Sequence, residues 1–521
     1  MGTENLDSGR IAGMCAMALM LSVSALAVRG DMLSEYVRQF NADDDERYTN
    51  AIPNTAAEAF LRENIPMFEC PDKEIERTYY FRWWTYRKHL RRTADGGWVV
   101  TEFLPDVSWA RTNNTIFCAM GHHLMEGRWL RDGAFLESYL RFWFKGAGRP
   151  HRRLYTSWPV YAALEWAKVR GDDSLLRELY DSLCEYFDVL EKGWWTPTGQ
   201  LGHCPLGRWK NGLFGVEDWR EGCELSASGH GNRPLHNAAM WREAEGLAEL
   251  GRRFGRHDAA AKYEAKAEIS RRAILERLWS PERAFFMTVG TNGVQGTARE
   301  LQGYAPWYVD MPLDVSHGAA WQWVLRHAGG RMGFRARYGL TTTDMSDPGF
   351  GIFRIKGEDC RWNGPTWPFA SSIALSGLAN ALRSGTAGPA TKEDFAELVH
   401  EYAAAHRRKR EDGKTVCWID ENMDPFTGEW LARAIHISRG VVNERGKDYN
   451  HSTFCDLIIS GLVGVRPSFG PGIEVRPLAP KSWDWYRLSN LPYHGQMGDI
   501  VFDRTGTRYG CGKGLTIRVT K

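Results

Sequence analysis

Apolar residues recur at helical spacing through the middle of the chain. In the clearest stripe the positions lie three, four or seven residues apart, and its members are Ala260, Tyr263, Ala267, Ile274 and Leu278. Such spacing places one apolar face along an α-helix, which we expect to end at Ser280-Pro281. Similar patterns predict helices over residues 175–190, 241–251, 373–382, 395–405 and 454–462.

These helices follow one another in pairs from about residue 116 to residue 465, with long loops between the pairs. No fixed period of roughly 30–40 residues runs through them, which disfavours an elongated solenoid. A closed ring would bury the apolar stripe of each hairpin against its neighbours. The pattern therefore predicts a mainly α fold, with a helical barrel over residues 111–465.

The two flanks of this predicted barrel have other patterns. Residues 28–110 form the N-terminal flank. Its first part, to about residue 55, is expected to be a polar, poorly ordered leader. A β-leaning segment then follows, in which the aromatic run TYYFRWWTYRKHL precedes GGWVVTEFLPDV. Beyond residue 465 the stretches IEVRPL, DIVFDR and LTIRVTK alternate with Gly and Pro turns. Residues 466–521 are therefore predicted to add a small β-rich segment.

The first 27 residues have the pattern of a signal peptide. Arg10 precedes an uncharged apolar run over residues 11–26, which closes with Ala25-Leu26-Ala27. The run is short for a membrane helix of about 20 residues. We expect cleavage after Ala27, export to the periplasm or the cell exterior, and no membrane span in the mature chain. The nine cysteines then left contain no CxxC pair, so neither a zinc site nor a full disulfide framework is indicated, and one or two disulfides remain open.

Charge and composition narrow the function classes. Lys and Arg number 66 against 64 Asp and Glu, a balance that argues against nucleic-acid binding. Tryptophan occurs 23 times, as often as phenylalanine, and its ring suits stacking on sugar faces, although about half of these residues are expected to pack in the core. The sequence has no P-loop, GxGxxG or GxSxG motif, and its histidines lack metal-ligand spacing. We predict a carbohydrate substrate, no cofactor and no metal; the oligomeric state is left open.

Acidic residues are concentrated in two loops. Glycoside hydrolysis needs a carboxylic acid that protonates the leaving oxygen and a carboxylate that activates water or attacks carbon. The loop VEDWREGCELSASGHGNRP precedes a helix, where one or two of its acids are expected to cap that helix, and it supplies Glu217, Asp218, Glu221 and Glu224. The loop CWIDENMDPFTGEWL contains predicted tight turns and supplies Asp420, Glu421, Asp424 and Glu429. Glu421 follows the apolar pair Trp418-Ile419, and partial desolvation there would suit a base.

Aromatic and basic side chains are the candidates for sugar contact. The aromatic candidates lie in the Pro- and Gly-rich loops over residues 300–312 and 360–372, and are Tyr304, Trp307, Trp362 and Trp367. The basic and neighbouring candidates are Arg82, Trp83, Trp84, Arg128, Trp129, His230, Arg233, Asn237 and His451. For each arginine, pairing with a structural carboxylate is the alternative role.

Four stretches resemble glycoside hydrolases with a six-hairpin (α/α)6 toroid, and in particular those similar to mannosylglycerate hydrolase and the family 63 processing α-glucosidases. They are REGCELSASG at 220–229, RWNGPTWP at 361–368, IDENMDPFTGE at 419–429 and DYNHSTFCDLIISGLVGVRP at 448–467. They span most of the mature chain in the family's order. The resemblance implies this toroid as the fold.

The resemblance also implies an assignment of roles. The family's general acid is an aspartate in a Ser-Gly-Trp-Asp type motif, and Glu224 occupies the matching place here, with Asp218 as the alternative. The family's base matches Glu421, with Glu429 as the alternative. Such relatives invert the anomeric centre, which places the two carboxyls about 6.5–9.5 Å apart. The family's Trp-Arg-Gly-Pro sugar-contact motif reads Trp362-Asn363-Gly364-Pro365, so Asn363 stands where relatives have arginine.

Three functions therefore compete. An exported, exo-acting, inverting glycosidase with a Glu/Glu acid and base pair is preferred, because both expected positions carry a carboxylate. A polysaccharide lyase on a similar toroid would instead need a Tyr or His base and a group that neutralises a uronate carboxylate. A non-catalytic glycan-binding protein would keep the fold alone.

Overall fold

A computed structural model of the protein describes residues 32–111, 113–152, 154–193, 212–327, 330–355 and 358–520, and the pairs 200–201, 204–205 and 207–208. The proposed signal peptide lies outside these residues. The α-helices are α1 (32–43), α2 (Ala57–Asn64), α3 (Lys73–Lys88), α4 (Met120–Gly127), α5 (Ala134–Phe144), α6 (Pro159–Arg170), α7 (Ser174–Glu191), α8 (Pro234–Arg253), α9 (His257–Arg277), α10 (Ala305–Tyr308), α11 (Pro368–Ser384), α12 (Lys392–Ala405) and α13 (Leu431–Ser438). A π-helix covers Leu457–Val463, and a long 3₁₀ segment covers Val315–Val324.

The helices form a ring with an inner and an outer layer. In the inner layer α4 packs on α6, α6 on α8, α8 on α10, α10 on α11, and α11 on the π-helix. Glu126 of α4 closes the ring, because its carboxylate accepts the backbone N–H groups of Phe454, Cys455 and Asp456 at 2.8–3.1 Å. The helices α3, α5, α7, α9 and α12 belong to the outer layer. The fold is the predicted mainly α toroid, and the helices predicted from apolar stripes are confirmed.

The aromatic run that was expected to be β-leaning is instead the helix α3. Asp72 caps its first turn, accepting the backbone N–H groups of Glu74 at 3.0 Å and Ile75 at 3.2 Å. Tyr79, Trp83 and nearly all of their neighbours are buried, since α1, α2 and α12 surround the helix. Burial on all sides outweighs the β preference of Tyr, Trp and Phe. Only the later part forms the expected hairpin, from β2 (Leu90–Arg92) and β3 (Trp98–Val100).

The leader is also more ordered than expected. Residues 32–43 form α1, and its apolar side chains Leu33, Val37 and Phe40 are buried against the main core. Trp84 of α3 donates its indole N–H to Asn41 at 2.8 Å. The expectation of poor order to residue 55 is therefore wrong for this part, because three apolar residues at helical spacing supply a face that packs.

The C-terminal β segment is an antiparallel sheet in the order β1-β18-β19-β20. These strands are Met67–Glu69, Trp485–Tyr493, Gln496–Asp503 and Gly514–Thr520. The edge strand β1 comes from the N-terminal flank, with Met67 opposite Ser489. The remaining strands form short two-stranded ladders and are β4 (Gln200–Leu201), β5 (Cys204–Pro205), β6 (Gly207–Arg208), β7 (Phe214–Gly215), β8 (Gly231–Asn232), β9 (Trp279–Ser280), β10 (Phe285–Phe286), β11 (Val289–Gly290), β12 (Arg335–Ala336), β13 (Gly339–Leu340), β14 (Arg407–Lys409), β15 (Thr415–Cys417), β16 (Val465–Arg466) and β17 (Glu474–Val475). The domain boundaries at residues 27, 110 and 465 stay predictions.

Two further findings concern the chain as a whole. Among the described residues, no helix is both long enough and apolar enough to cross a membrane. Eight cysteines are free, and they are Cys70, Cys118, Cys184, Cys223, Cys360, Cys417, Cys455 and Cys511. The possible disulfides that the cysteine count left open are therefore not formed among these residues.

Candidate active site

A cavity of about 280 Å³ opens where loops lead into the inner helices. These loops precede α4, α6, α8, α11 and the π-helix, so side chains far apart in sequence meet at one mouth of the ring. The lining includes four acidic residues and one arginine, which are Glu102, Glu224, Asp359, Glu421 and Arg445. The structure thus brings together the two carboxyls, Glu224 and Glu421, that the sequence nominated.

The loop that carries Glu224 is held by a buried ion pair. Arg233 donates to Glu221 at 2.6 Å, and its guanidinium also contacts the backbone oxygen of Gly229 at 2.7 Å. Glu221 in turn accepts the backbone N–H of His236 at 2.8 Å, in the first turn of α8. Glu217 binds Arg220 at 3.1 Å. Glu217 and Glu221 therefore hold the loop in place, and the expected helix-capping role belongs to Glu221.

Glu224 is half-buried and faces the cavity. Burial, together with the charges of Asp218 and Glu421, raises the pKa of the Glu224 carboxyl to about 7. The thiol of Cys360 opposes this shift by donating to Oε2 at 3.2 Å. The next residue, Leu225, has a left-handed backbone with φ 55°, which is unfavourable for a non-glycine residue. A strained position thus follows directly after the candidate acid.

Glu421 is buried and belongs to a network of charged side chains that also includes Arg445, Asp359 and His436. Arg445 donates to its Oε1 from Nε at 3.0 Å and from Nη2 at 2.6 Å. The same Nη2 contacts Asp359 at 2.8 Å, and His436 meets Asp359 at 2.9 Å. Hydrogen bonds from His436 and the charge of Arg445 lower the pKa of Asp359 despite its burial. This network favours the ionised form of Asp359 and fixes the position of the Glu421 carboxylate.

Glu102 is a third carboxyl in the cavity, and sequence reasoning missed it. Its oxygens accept the indole N–H of Trp109 at 3.0 and 3.2 Å. Burial, aided by the charges of Glu421 and Glu224, raises the pKa of Glu102 to about 8. Glu102 is therefore uncharged at neutral pH. A signal was present, because Glu102 follows the buried strand β3 in the same way that Glu421 follows Trp418-Ile419.

Aromatic side chains close the cavity, as expected for Trp362 and Trp367. Their rings stack at 4.2 Å, and the indole N–H of Trp362 has no hydrogen-bond partner among the described residues. His451 also lines the cavity and is 5% exposed, and within the same residues its Nε2 has no partner either. Burial lowers the pKa of His451 to about 3, so the ring is neutral. Two unpartnered buried groups are therefore available for sugar hydroxyls.

The structure does not bring the residues of α3 and α4 to this cavity. Arg82 is buried against His406 and the backbone oxygen of Ser452. Trp83 and Trp84 pack in the core around α3. Arg128 binds Asp456 at 2.7 Å and lines a separate cavity, and Trp129 donates to the same carboxylate. The sugar contacts predicted for these residues are wrong for this site. Their side chains are buried in α3 and just after α4, and none of them is in the cavity lining.

Several loop residues are likewise structural. Tyr304 stacks on Trp321 at 4.1 Å, and Trp307 donates to Thr386. Asn237 receives the backbone N–H of Phe214 at 2.7 Å, and Asn363 donates to the backbone oxygen of Gly349 at 3.1 Å. None of these four residues is in the cavity lining, which contradicts their predicted contact with a substrate bound there. Arg233 does not line the cavity either, and it is paired with Glu221.

The alternative carboxylates lie outside the cavity lining. His230 Nδ1 accepts the backbone N–H of Asp218 at 3.2 Å, and the Asp218 carboxylate accepts the backbone N–H of Trp219, so these bonds fix the loop beside Glu224. His230 therefore supports Asp218 and does not line the cavity. Glu429 forms an exposed pair with Arg354. Asp424 accepts the backbone N–H groups of Phe426 and Thr427, which confirms the predicted turn.

Other lining residues were not predicted. Besides Glu102, they are Phe103, Trp109, Ile116, Cys118, Tyr155, Gly222, Asp359, Cys360, Phe369, Arg445 and Tyr449. Arg445 lies in a polar loop with no local motif, and only the fold brings it to Glu421. Among the described residues, no group of three or more His, Cys, Asp or Glu side chains is placed to hold a metal ion.

Comparison with known proteins assigns this chain to a family. Residues 112–452, more than half of the chain, match the family described as "Mannosylglycerate hydrolase MGH1-like glycoside hydrolase domain". The chain belongs to this family of glycoside hydrolases. The enzyme is therefore a glycosidase, and the resemblance inferred from its four motifs is confirmed.

Solved structures agree on the fold. A protein named "Sialidase" is 34% identical with a TM-score of 0.84 over 94% of this chain, but this glycosidase spans only 43% of that protein's length. A GH78 family rhamnosidase from a Bacillus species is 12% identical with a TM-score of 0.54, covering 87% of this chain and 41% of that one. An uncharacterized conserved protein from Thermus thermophilus is 15% identical with a TM-score of 0.50, covering 73% and 98%. The last two share the fold alone.

Proposed function

We propose that this glycosidase is exo-acting and inverting, releasing a neutral terminal sugar with Glu224 as general acid and Glu421 as general base. The observation that carries the proposal is the contrast between two carboxyls in one cavity. The pKa of Glu224 is raised to about 7, whereas Glu421 is bound by Arg445. Inverting hydrolysis requires one carboxyl that can donate a proton and a second carboxylate that is held in position to accept a proton from water.

The reaction follows from these positions. Glu224 donates its proton to the glycosidic oxygen as the bond to the anomeric carbon breaks. Glu421 removes a proton from a water molecule, whose oxygen bonds to the anomeric carbon from the opposite face. Both Arg445 contacts fall on Oε1, so Oε2 is the oxygen assigned to take the proton. After the reaction Glu421 is protonated and Glu224 is ionised. Proton exchange with solvent returns both carboxyls to their starting protonation states.

Glu102 fits a supporting role better than that of the acid. A general acid works best when its pKa is near the working pH, because it must both hold and release a proton. The pKa of Glu102 is higher than that of Glu224, and Glu102 is also tied to Trp109. Glu102 is therefore assigned to binding, as an uncharged carboxyl beside the reacting groups.

The charges in the cavity support a neutral terminal sugar. Arg445 is the only arginine or lysine among the described lining residues, and it is already bound by Glu421 and Asp359. A uronate or sialate carboxylate would share the cavity with four carboxyl groups and no free cation, at a high desolvation cost. The name "Sialidase" belongs to a protein more than twice as long as this chain, so it does not assign an acidic sugar here.

The competing functions have less support. A lyase would need Arg445 free to neutralise a uronate, whereas Arg445 is bound by two carboxylates. A binding protein would have no need for carboxyls with a raised pKa in a closed cavity. Export remains a proposal that rests on the signal-peptide pattern of residues 1–27.

The test is to screen the enzyme on a panel of plant and host glycans and to follow the anomer first released by NMR. Glu224→Gln and Glu421→Gln should each fold normally and lower kcat by about 10²–10⁴-fold. Glu429→Gln is the matched control and should retain activity, because Glu429 lies outside the cavity. Full activity in either of the first two variants would remove that residue from its role. Release of a sugar with the same anomeric configuration as the substrate would overturn the inverting mechanism.

A further inference from the structure

A second cavity of about 240 Å³ adjoins the candidate active site. Trp109, Ile116 and Tyr155 line both cavities, and we call these three side chains the shared wall. We call the second one the outer cavity. It is built from the loop before α4, the end of α5 and the loop before α6. No residue assigned to the reaction lies in it.

The shared wall lies beside Glu102 and Glu224, the two carboxyls whose pKa is raised, and its Trp109 donates a hydrogen bond to Glu102. Tyr155 packs edge-on against Trp219 in the loop that carries Glu224, with ring centroids 6.1 Å apart, and it lines the active-site cavity together with Glu224. The shared wall therefore contacts the loop of the proposed acid. In glycoside hydrolysis the general acid must face the leaving oxygen, so the rest of the leaving group lies on the acid's side. The outer cavity begins at this wall.

The outer cavity is lined by aromatic rings of the kind on which sugars stack. Trp109 is 48% exposed, and its indole N–H is held by Glu102, so an open ring face is fixed in orientation. The half-buried rings of Phe142 and Tyr155 lie in the same lining. Flat rings with open faces bind the apolar faces of saccharides with little loss of side-chain entropy.

The charges of the two cavities also differ. Among the described residues that line the outer cavity there is no Asp or Glu, and Arg111 is present. The active-site cavity has four acidic side chains. The outer cavity therefore accepts neutral and carboxylate-bearing saccharides alike, whereas the inner one disfavours the latter.

We propose that the outer cavity is the leaving-group subsite, holding the saccharide ring that is joined to the terminal sugar through the scissile bond. This inference rests on the proposed function. Trp109 and Tyr155 contact both sugars, since they face both cavities. The substrate is accordingly at least a disaccharide.

The test fills the outer cavity without changing the inner one. Ala147 lies in its lining and is exposed, so Ala147→Trp adds a ring there at little risk to folding. Ala265→Trp, on the exposed side of α9, is the matched control. Both are made in the Glu421→Gln background and compared on the plant and host glycan panel. Ala147→Trp should raise Kd for bound oligosaccharides at least tenfold, and the control should leave it unchanged.

A kinetic measurement separates this inference from the proposed function. In the enzyme with Glu421 intact, Ala147→Trp should raise KM for the natural oligosaccharide at least tenfold. It should change KM less than twofold for the glycosyl fluoride of the released sugar, because fluoride needs no saccharide subsite. Equal behaviour of Ala147→Trp and Ala265→Trp would overturn the subsite and leave the glycosidase proposal intact. Failure of every form to bind or cleave any glycan would overturn both.

Discussion

Arg445 directs two N–H groups at a single oxygen of Glu421, with Nε at 3.0 Å and Nη2 at 2.6 Å from Oε1. Its guanidinium also lies 5.3 Å from the ring centre of Phe103 and 5.5 Å from that of Trp109. The arginine therefore fixes the orientation of the proposed base. Lysine cannot reproduce this geometry, because its ammonium lacks a planar fork.

The first prediction concerns this pair. Arg445→Lys should lower kcat/KM at least tenfold, because an ammonium cannot direct two fixed N–H groups at Oε1 and therefore orients the proposed base less well. Arg439→Lys is the control, since Arg439 is 3.7 Å from the same Asp359 but is not bonded to Glu421. Initial rates at pH 7 measure the effect. Equal kcat/KM values for the two variants would argue against Arg445 as the residue that orients Glu421.

The second prediction concerns the basic limb of the pH–rate profile, measured from initial rates between pH 4 and 9. The acid must be protonated, so with a pKa of about 7 at Glu224 the rate should fall as pH rises above about 7. Cys360→Ala removes the thiol that donates to the ionised carboxylate, so the basic limb should move to higher pH. Cys511→Ala, in the C-terminal segment, should leave the limb in place. A shift to lower pH in Cys360→Ala would contradict the contact.

The third prediction concerns stability. The pKa of Glu102 is about 8 in the fold and about 4.3 in an unfolded chain. Between these values the unfolded state releases a proton that the folded state keeps, so this group makes the fold less stable as pH rises. Glu102→Gln should therefore raise the free energy of unfolding relative to the native enzyme at pH 7.5. Near pH 4, where both states are protonated, the difference should disappear.

Urea unfolding at the two pH values measures this difference. Glu268→Gln is the control, because Glu268 is exposed beside Arg272 and should give the same small change at both pH values. A variant at Glu102 that is less stable at pH 7.5 than at pH 4, relative to the native enzyme, would show that this carboxyl is ionised in the fold.

Sequence reasoning was strongest where a local pattern has one physical meaning. Apolar stripes predicted the helices of the toroid, since a face of that spacing must be buried. The family resemblance nominates Glu224 as the acid and Glu421 as the base, and for Glu421 the preceding apolar pair Trp418-Ile419 points the same way; both residues reach the cavity. The helix α3 was missed because its aromatic residues favour strands, and only its surroundings make it a helix.

The arginines show the limit of local reasoning. Arg82, Arg128 and Arg233 each lie beside aromatic or motif residues, yet all three bind buried protein groups. Neighbours in a helix point about 100° apart, so adjacency in sequence does not place two side chains in one pocket. Arg445 had no such neighbours and is the arginine in the cavity. Which end of the ring a side chain faces depends on the whole fold.

The last prediction separates a structural arginine from an exposed one. Arg233 is buried between Glu221 at 2.6 Å and Glu300 at 3.3 Å, and Arg233→Ala would leave both carboxylates buried without their cation. Loss of one partner from a buried pair costs about 3–5 kcal/mol. Arg354→Ala is the matched change in an exposed pair, where Arg354 and Glu429 are 51% and 44% exposed, and it should cost at most about 1 kcal/mol. Denaturant unfolding at pH 7 compares the two variants. Since Arg233 also holds the loop of Glu224, its loss should lower kcat in any protein that still folds, whereas a rise in KM alone would point to the sugar-binding role that the sequence suggested.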